Sequence, residues 1–599
     1  MTSIAKPRLS DGNPSDNVIH AAFRALLPAQ ILATAASSLG SMVNGLLVGN
    51  YLSEISLAAL GFVTPLVAIL STVSTVVSGG ARIVSGKSMG RGDIEQQRRV
   101  YNSSVSSLAI AGIVFSVLAF VLNRPIAMLA GAVGETIEPT ARYVRGLSIG
   151  IIPTLLVPAL MVFLQLRNDS GFALFATVLL AGLTLVFGLI NLSVLQGGMF
   201  GMGLSVTLSQ WVVFAVIVLR FRVREPSREK RVRLTRGDLL RMLYLGLPTA
   251  LSALLYALRN SVLNNIAQSF FGSEAVASLA ILTSAGGVFD AVNVGVGTVC
   301  LTLCALYYGM HDREGMKAVI RTTLRSGLIL AMAKVVFLML FASPLAAIFG
   351  AQGSLRDSSA SLLRLYSLCM PLNIIMLCFV SAHQCMGRIK LVSIFYVFNA
   401  VLLPLGFARF FVRVIGVYSI YLCYSVAEII SIGLFYVIGY VMGGRSLAIQ
   451  DMIALPENEG KYLNFSVRTP EEVVRVSERI MAYCAENGVD ERRSNFCGLC
   501  VEEIACNAVG HGFMHSLRKK HLSVDIFLSI FHGNIELRVI DNCAKFNPLE
   551  RLAADSGDDP AKNIGIRIVR ALADEFTYQT TFGQNFVGID WKAPEKTAD

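Results

Sequence analysis

Two polar residues, Glu503 and Asn507, stand four positions apart in a segment, 501–513, that is predicted to be helical. That spacing places both side chains on one face of a helix. A carboxylate there can orient or deprotonate an attacking hydroxyl, and an amide oxygen beside it can hold a magnesium ion that is bridged to phosphates. The same spacing also occurs on ordinary exposed helix faces. The neighbouring segments are therefore needed to distinguish a nucleotide site from an exposed face without a chemical role.

The segments that follow this helix favour the chemical interpretation. Two alternating strands, 521–531 and 534–540, are predicted next, and the second ends at Asp541-Asn-Cys-Ala-Lys-Phe-Asn-Pro. A polar stretch then leads to Asn563-Ile-Gly-Ile-Arg-Ile-Val, where a helix begins whose N-terminal amides can receive phosphate oxygens. With a strand and a helix before them and a hairpin around Gly583 after them, these elements predict an α/β two-layer sandwich.

In this order the three segments resemble the N, G1 and G2 boxes of the GHKL ATP-binding superfamily, nearest to its anti-sigma-factor serine kinase branch. The resemblance implies that ATP and Mg²⁺ are cofactors, with Glu503 as general base, Asn507 as magnesium ligand and Asp541 as reader of the adenine amine. It also implies further nucleotide contacts from the G1 and G2 segments and, by charge and position, from the lid: Asn542, Gly565, Ile566 and Lys562.

Two positions depart from the superfamily pattern. Cys543 stands where the G1 box usually has glycine, and Lys562-Asn563 stands where the lid usually ends in glycines. A Cβ at position 543 restricts the backbone beside the base pocket. We therefore expect ATP binding, whereas transfer of its phosphate is left open by the sequence.

The first three quarters of the chain have a different composition, typical of a membrane protein. Hydrophobic residues make up 54% of the 599 residues and charged residues 15%, more apolar than a water-soluble surface usually tolerates. A spanning helix needs about 20 apolar residues. Twelve segments of that kind are predicted, near 22–46, 55–78, 103–123, 147–166, 172–192, 202–221, 242–267, 275–305, 321–345, 364–384, 391–412 and 417–441.

The net charge of +11 is concentrated in short links between these segments, notably 220–241. Positive links on one side of a bundle indicate its cytoplasmic face rather than a nucleic-acid surface. We therefore expect a multi-pass protein of the cell membrane with both termini in the cytoplasm and no nucleic-acid partner. The eleven cysteines lack the regular spacing of a disulfide framework and are expected to be reduced thiols.

The twelve segments form two sets of six with an internal repeat. Ser53 matches Ser273 at an offset of 220, while Gly90 matches Gly309 and Gln165 matches Gln384 at an offset of 219. A constant offset indicates duplication, and two parallel six-span halves are typical of transporters that open a substrate cavity between the halves.

The same anchors carry a second resemblance. Gly-Asn-Tyr-Leu-Ser-Glu-Ile-Ser-Leu-Ala-Ala-Leu-Gly at 49–61, Gly90-Arg-Gly-Asp and Gly387-Arg-Ile-Lys are similar to segments of the multidrug and toxic compound extrusion (MATE) family. The resemblance implies a secondary transporter with two six-helix lobes that exports organic solutes against a proton or sodium gradient. In the first span, Asn44 stands where this family commonly has an acidic residue, and an amide does not take up and release protons near neutral pH.

Polar residues inside the spans are candidates for the transport cavity, because such groups are costly at membrane depth. They are Asn44, Gln210, Arg259, Asn264, Asp290, Lys334 and Glu428. If a proton or sodium ion is coupled, we expect Asp290 or Glu428 to supply the carboxylate. The alternative is that Arg259 or Lys334 only neutralises Asp290 between helices and that the asparagines only join helices.

The predicted order is a polar tail at 1–19, a first lobe at 20–222, a basic linker at 223–241, a second lobe at 242–443, a linker at 444–461 and the ATP-binding domain at 462–593. We expect a MATE-like exporter of a small organic solute whose cytoplasmic domain binds ATP as a regulator. The alternative is a transporter-derived receptor whose GHKL domain is a serine kinase or a sequestering factor for an anti-sigma-type partner. Expected partners are the lipid bilayer, the solute, and a regulatory protein or a second copy of the domain.

Overall fold

The structure is a computed structural model that describes residues 16–52, 54–224, 236–441, 461–516, 522–550 and 563–593. Two of the predicted site residues fall outside it, since neither the Asn44 side chain nor Lys562 is among the described groups. The described residues form a helical bundle up to 441 and an α/β domain from 461 onward.

The described part of the first lobe contains eight α-helices, which are joined by turns. Asp93 begins the third helix by accepting a hydrogen bond from the Gln96 amide, 2.7 Å away. The helices are α1 (Asp16–Tyr51), α2 (Glu54–Arg91), α3 (Ile94–Val121), α4 (Asn123–Leu129), α5 (Ile137–Ser148), α6 (Ile151–Leu166), α7 (Ser170–Ile190) and α8 (Gly198–Arg224).

The second lobe repeats this arrangement. Asp312, 219 positions after Asp93, likewise begins a helix by accepting from the Gly315 amide, at 2.8 Å. Its helices are α9 (Arg236–Phe271), α10 (Ser273–Gly309), α11 (Arg313–Ile348), α12 (Gly353–Ser367), α13 (Cys369–Cys385), α14 (Ile389–Val397), α15 (Leu403–Ile415) and α16 (Tyr418–Val441). The equivalent capped turns confirm that the sequence repeat is structural.

Eleven helical segments of the described chain are long and apolar enough to span a membrane, and a pair bent by 55°, Gly134–Ser148 with Ile151–Leu166, supplies a twelfth. This agrees with the twelve predicted spans. Several helices run well beyond their apolar cores: α2 has 38 residues. Helix α2 continues as far as Arg91, at the turn 90–93.

The C-terminal domain is a five-stranded antiparallel sheet with helices packed on one face. The strands lie in the order β1-β2-β3-β5-β4. In chain order the elements are β1 (Lys461–Val467), α17 (Pro470–Glu486), α18 (Glu491–Asn507), α19 (Phe513–His515), β2 (Val524–Phe531), β3 (Asn534–Asp541), α20 (Ile564–Leu572), β4 (Glu575–Thr581) and β5 (Gln584–Trp591). This is the predicted two-layer sandwich.

Buried apolar residues separate into clusters that follow this architecture. One cluster fills the space between the sheet and the domain helices and includes Cys497 and Cys500. Two others lie within the first and the second lobe. The largest combines residues of both lobes with outer-face residues of the sheet, including Phe527 and Phe586. The lobes and the domain therefore share one core at the end of the bundle where the turns 90–93 and 309–312 lie, called the domain-side end below.

Glycines allow the two lobes to approach each other at this end. A Cβ on Gly90 would lie 2.2 Å from the Leu306 carbonyl oxygen, and one on Gly309 would lie 2.2 Å from the Lys87 carbonyl oxygen. Gly90 and Gly309 are the repeat-related pair, so each lobe presents the same glycine to the other. Any side chain at either position would force α2 and α10 apart.

Candidate functional site

Helix α18 positions the two residues with which the sequence analysis began. Asp490 starts the helix by accepting from the Arg493 amide at 2.9 Å. The face that carries Cys497, Cys500 and Val501 is buried against the sheet. Glu503 and Asn507 lie on another part of the helix surface and line a cavity of about 390 Å³. The α-helix ends at Asn507, and the next turn, Ala508–Gly512, is a π-helix along the cavity wall.

The cavity brings together most of the predicted nucleotide contacts. Glu503, Asn507, Asp541, Gly565 and Ile566 all line it. They come from α18, the end of β3 and the beginning of α20, which are separated in sequence and adjacent in the fold. Asn542 is not among the lining residues, because its side-chain oxygen turns away and accepts from the Ser523 amide at 3.0 Å.

One oxygen of the Asp541 carboxylate is hydrogen-bonded within the protein. Its Oδ1 accepts from the Cys543 amide at 2.9 Å and from Asn585 Nδ2 at 2.8 Å. The Tyr578 hydroxyl in turn donates to Asn585 Oδ1 at 2.7 Å. Burial raises the pKa of Asp541, while the hydrogen bonds from Asn585 and Cys543 act in the opposite direction. Asp541 lines the cavity, where its carboxylate can accept a hydrogen bond from an exocyclic amine. Tyr578 and Asn585 were missed by sequence reasoning, because they lie on strands after the recognisable motifs.

Gly565 meets Glu503 across the cavity. A Cβ at position 565 would lie 1.8 Å from Glu503 Oε2, so any other residue at this position would displace the end of the Glu503 side chain. The backbone of that turn therefore lies within reach of a group bound beside Glu503.

Carboxylate and amide oxygens are the ligands that Mg²⁺ prefers in proteins, and Mg²⁺ takes one or two of them with phosphate oxygens completing its shell. Glu503 and Asn507 supply this donor set on consecutive turns of one helix, both facing the cavity. The residues present thus fit a magnesium ion bound together with a nucleotide.

The departure at Cys543 is accommodated by its neighbour. A Cβ on Gly512 would lie 3.1 Å from the Cys543 Cβ, so the missing side chain at 512 leaves the room that the extra side chain at 543 takes. Cys543 lines the cavity without closing it. The Cys543 side chain therefore fits beside the π-helical turn Ala508–Gly512.

A second cavity, of about 400 Å³, lies within the second lobe and contains three of the predicted transport residues, Arg259, Asp290 and Glu428. Asp290 accepts from the Tyr366 hydroxyl at 3.1 and 3.0 Å. Arg259 lies over the rings of Tyr256 and Tyr424 at 4.9 and 4.8 Å. A tyrosine hydroxyl thus contacts the Asp290 carboxylate, and two aromatic rings contact the Arg259 guanidinium.

Glu428 ends a chain of hydrogen bonds that begins at Lys334. Lys334 Nζ donates to Asn293 Oδ1 at 2.5 Å, and Asn293 donates to Asn373 at 3.2 Å. Asn373 donates to Glu428 Oε1 at 2.9 Å, while Asn399 donates to Oε2 at 3.2 Å. Lys334 itself is not among the lining residues, whereas the three asparagines are. Lys334 and Glu428 are therefore connected by hydrogen bonds through the side-chain amides of Asn293 and Asn373.

The sequence did not single out the asparagines that bond between Lys334 and Glu428. An amide inside an apolar run was a signal that could have found Asn373 and Asn399. Besides Lys334, two other predicted residues that the structure describes do not line this cavity. Asn264 is exposed on α9, and Gln210 lies in the first lobe with its Oε1 buried and without a hydrogen-bond partner.

Comparison with known families agrees with both parts of the chain. The MatE family model matches residues 29–212 and 248–408, and the model of the histidine kinase-like ATPase domain matches 467–591. The chain is 21% identical over 331 residues to the "Probable multidrug resistance protein YoeA" of Bacillus subtilis, covering 53% of this chain and 71% of that protein. It is 24% identical over 343 residues to the "Probable multidrug resistance protein NorM" of Streptococcus pneumoniae, covering 55% and 74%.

Solved structures show the same fold for the membrane part. A multidrug resistance MATE family transporter of the MOP superfamily, in an outward-facing conformation, superposes with a TM-score of 0.64 at 22% identity over 69% of this chain and 93% of its own. A MOP superfamily transporter from Pyrococcus furiosus superposes with a TM-score of 0.63 at 22% identity, over 71% and 97%.

Proposed function

Because the chain belongs to the MatE family and carries a histidine kinase-like ATPase domain behind its helices, we propose that it is a secondary transporter that exports a small organic solute and is regulated by ATP at that domain. The division into lobes at 20–222 and 242–443 and a domain at 462–593 belongs to this proposal. So does the placement in the cell membrane with both termini cytoplasmic, which the basic link at 220–241 supports.

The observation that carries the transport proposal is the polar cavity of the second lobe. It places Asp290 and Glu428 among four tyrosines inside an otherwise apolar bundle: Tyr256, Tyr366, Tyr396 and Tyr424. Arg259 covers the rings of Tyr256 and Tyr424, and the remaining rings together with the two carboxylates suit an organic cation. The same carboxylates are the coupling groups that we propose if a proton or sodium ion drives export, because Asn44 in the first lobe cannot titrate.

A transport measurement in proteoliposomes tests this proposal. Efflux of an organic cation dye against an imposed proton or sodium gradient should be lost in the paired variant Asp290→Asn, Glu428→Gln and reduced in each of the two separately. Asn264→Gln is the matched control, because Asn264 is exposed and lies outside the cavity. Gradient-driven efflux that is unchanged in the paired variant would contradict carboxylate coupling.

The regulatory proposal rests on the nucleotide cavity. Mg²⁺ and ATP are the cofactors that Glu503, Asn507, Asp541 and the first turn of α20 suit. Asn507→Ala should weaken Mg²⁺-dependent ATP binding by the full-length protein and change transport in the direction of nucleotide-free wild type. Equal ATP binding by wild type and Asn507→Ala would contradict this site.

A second candidate function, a serine kinase acting on an anti-sigma-type regulatory protein, is favoured by Glu503, whose carboxylate faces the cavity beside Gly565. Glu503→Ala should then abolish phosphate transfer to a serine-bearing partner even at magnesium-ATP concentrations that saturate the variant. Absence of phosphorylated partner with wild-type protein would leave the domain as a binding regulator.

A further inference from the structure

The sheet of the ATP-binding domain has a second buried face. Its inner face packs on α17, α18 and α20, and its outer face, formed by alternate residues of the strands, lies against the domain-side end of the bundle. Arg538, in the middle of β3 on this outer face, is only 1% exposed. A guanidinium is almost never buried that deeply without specific partners. Its partners therefore show what the outer face is built to contact.

Arg538 joins the domain to the first lobe. Its Nε donates to the Gly90 carbonyl oxygen at 3.3 Å and its Nη2 to that of Arg91 at 2.9 Å, while Asp590 of β5 pairs with the same guanidinium. The turn is shaped for this approach: Gly92 has φ +76°, and a Cβ there would lie 3.2 Å from Thr577 Oγ1. The guanidinium thus donates to the last two carbonyl oxygens of α2, in a turn whose backbone is closed by hydrogen bonds from Gly92 to Met89 and from Asp93 to Ser88.

Strand β4 and the turn after it continue the contact with the first lobe. Gln579 donates to the Met89 carbonyl oxygen at 3.1 Å, and Thr581 donates to that of Leu166 at 2.7 Å. The Gly583 amide donates to Asn168 Oδ1 at 2.7 Å. Hence two separate turns of the first lobe, after α2 and after α6, are tied to one strand and its hairpin.

The other edge of the sheet contacts the second lobe. Asn464 of β1 donates to Asp312 Oδ2 at 3.2 Å, in the turn between α10 and α11. Phe527 and Ile540 belong to the same apolar cluster as Tyr307 and Met310 of that lobe. One rigid sheet therefore bridges the two lobes at the end where they touch each other.

That end is closed in this structure. Lys87 of α2 is 6% exposed and lies 4.5 Å above the ring of Tyr308, which belongs to α10 of the other lobe. Arg82 of α2 donates to Thr302 of α10 at 3.2 Å. For the bundle to open on this side, α2 and α10 must separate, and the sheet that holds Gly90 and Asp312 opposes that separation.

We propose that the ATP-binding domain is a clamp on the cytoplasmic gate of the transporter, the outer face of its sheet holding the ends of α2 and α10 together. This inference rests on the proposed function, since a gate has meaning only in a transporter. It also explains how a nucleotide regulates transport: the strands that carry Asp541 and Asn585 on the inner face carry Arg538 and Gly588 on the outer face. The nucleotide site is thus one strand layer away from the clamp.

Chemical accessibility of Lys87 in the full-length protein, in nanodiscs without nucleotide, tests the clamp. A water-soluble amine-acetylating reagent is added, and acetylation of the Lys87 peptide is timed by mass spectrometry. Arg538→Ala removes the central contact, and the pair Gln579→Ala, Thr581→Val removes two bonds of β4 to the bundle. Arg479→Ala is the control, because Arg479 is an exposed arginine of α17 paired with Glu486.

Acetylation of Lys87 should be about 150-fold faster in Arg538→Ala and about 30-fold faster in the β4 pair, as expected for the loss of two charged and of two neutral hydrogen bonds, respectively. The control should match wild type. The buried thiol of Cys497, inside the domain, is alkylated only if the domain unfolds and is followed in parallel. If Cys497 becomes reactive in Arg538→Ala, that variant has unfolded, and the rate of Lys87 acetylation in the β4 pair tests the clamp instead.

Lys87 that is equally protected in wild type and in the folded variants would overturn the clamp. Magnesium-ATP binding is measured on the same samples. If Lys87 stays protected in the variants while wild type binds ATP, the clamp is contradicted and the proposed ATP regulation is not. If Lys87 becomes reactive in the variants while wild type binds no ATP, the clamp is supported and the proposed ATP regulation is contradicted.

Discussion

Replacing Asp541 by asparagine should weaken ATP binding while preserving the fold. The Asp541 side chain accepts two hydrogen bonds through Oδ1, from the Cys543 amide and from Asn585, and an asparagine oxygen in the same place can accept both. The other oxygen, which we assign to the adenine amine, becomes an NH₂ group. The NH₂ group of the variant then faces the adenine amine, so two hydrogen-bond donors meet where the carboxylate accepted a hydrogen bond from that amine.

The size of the effect follows from this exchange. A hydrogen bond to a charged acceptor contributes about 1.5–3 kcal/mol, so ATP should bind roughly 10- to 150-fold more weakly to Asp541→Asn. Thermal stability should change in the opposite sense. Burial raises the pKa of Asp541, which means that its ionised form destabilises the folded domain above the ordinary carboxyl range. A neutral amide removes that cost, so the melting temperature should be unchanged or higher.

Titration of the full-length protein with magnesium-ATP and magnesium-ITP measures the prediction. Inosine carries a carbonyl oxygen where adenine carries the amine, so the NH₂ group of Asp541→Asn should favour ITP, reversing the wild-type preference. Asn507→Ala is the control, because it should weaken both nucleotides equally. Wild-type affinity and preference in a folded Asp541→Asn protein would refute the assignment of Asp541 as the reader of the base.

Three further results are expected. Tyr578→Phe removes the hydroxyl that orients Asn585, 2.7 Å away, and should weaken ATP binding about fivefold, from a hydrogen bond of about 1 kcal/mol; an unchanged titration would contradict the relay. Burial raises the pKa of Asp312 to about 6, so the stability contributed by its protonated form is complete below the ordinary value of 3.8 and is lost as pH rises through 6. Thermal unfolding of wild type should show this loss, and Asp312→Asn should flatten the profile between pH 4 and 6.5, in the range of those two values; parallel profiles would contradict it. Asn373→Leu interrupts the chain from Lys334 to Glu428 and should reduce transport at least about tenfold, with Asn264→Leu as the control that keeps it; equal efflux from both variants would show that the chain has no part in transport.

The local elements and their chemistry could be predicted from the sequence because they repeat with short periods. Apolar runs of about 20 residues produce spans in a bilayer wherever the chain carries them, and Glu503 and Asn507 share a helix face because they stand four positions apart. The constant offset of 219 or 220 predicted the equivalent turns at Asp93 and Asp312, and both are helix caps in the structure. The break between α5 and α6 was not predicted, because a 55° bend leaves the apolar composition of the pair unchanged.

Only the tertiary structure decided which groups contact the buried charges and where the domain docks. From the sequence, Arg259 or Lys334 could each pair with Asp290; the fold gives Asp290 a tyrosine, Arg259 two aromatic rings, and Lys334 an asparagine. No sequence motif sets Arg538 apart from other arginines, yet it is buried against Gly90, 448 positions earlier. Local periodicity reports which face of an element is apolar, but the partner of a polar group is set by which distant segments the whole chain brings beside it.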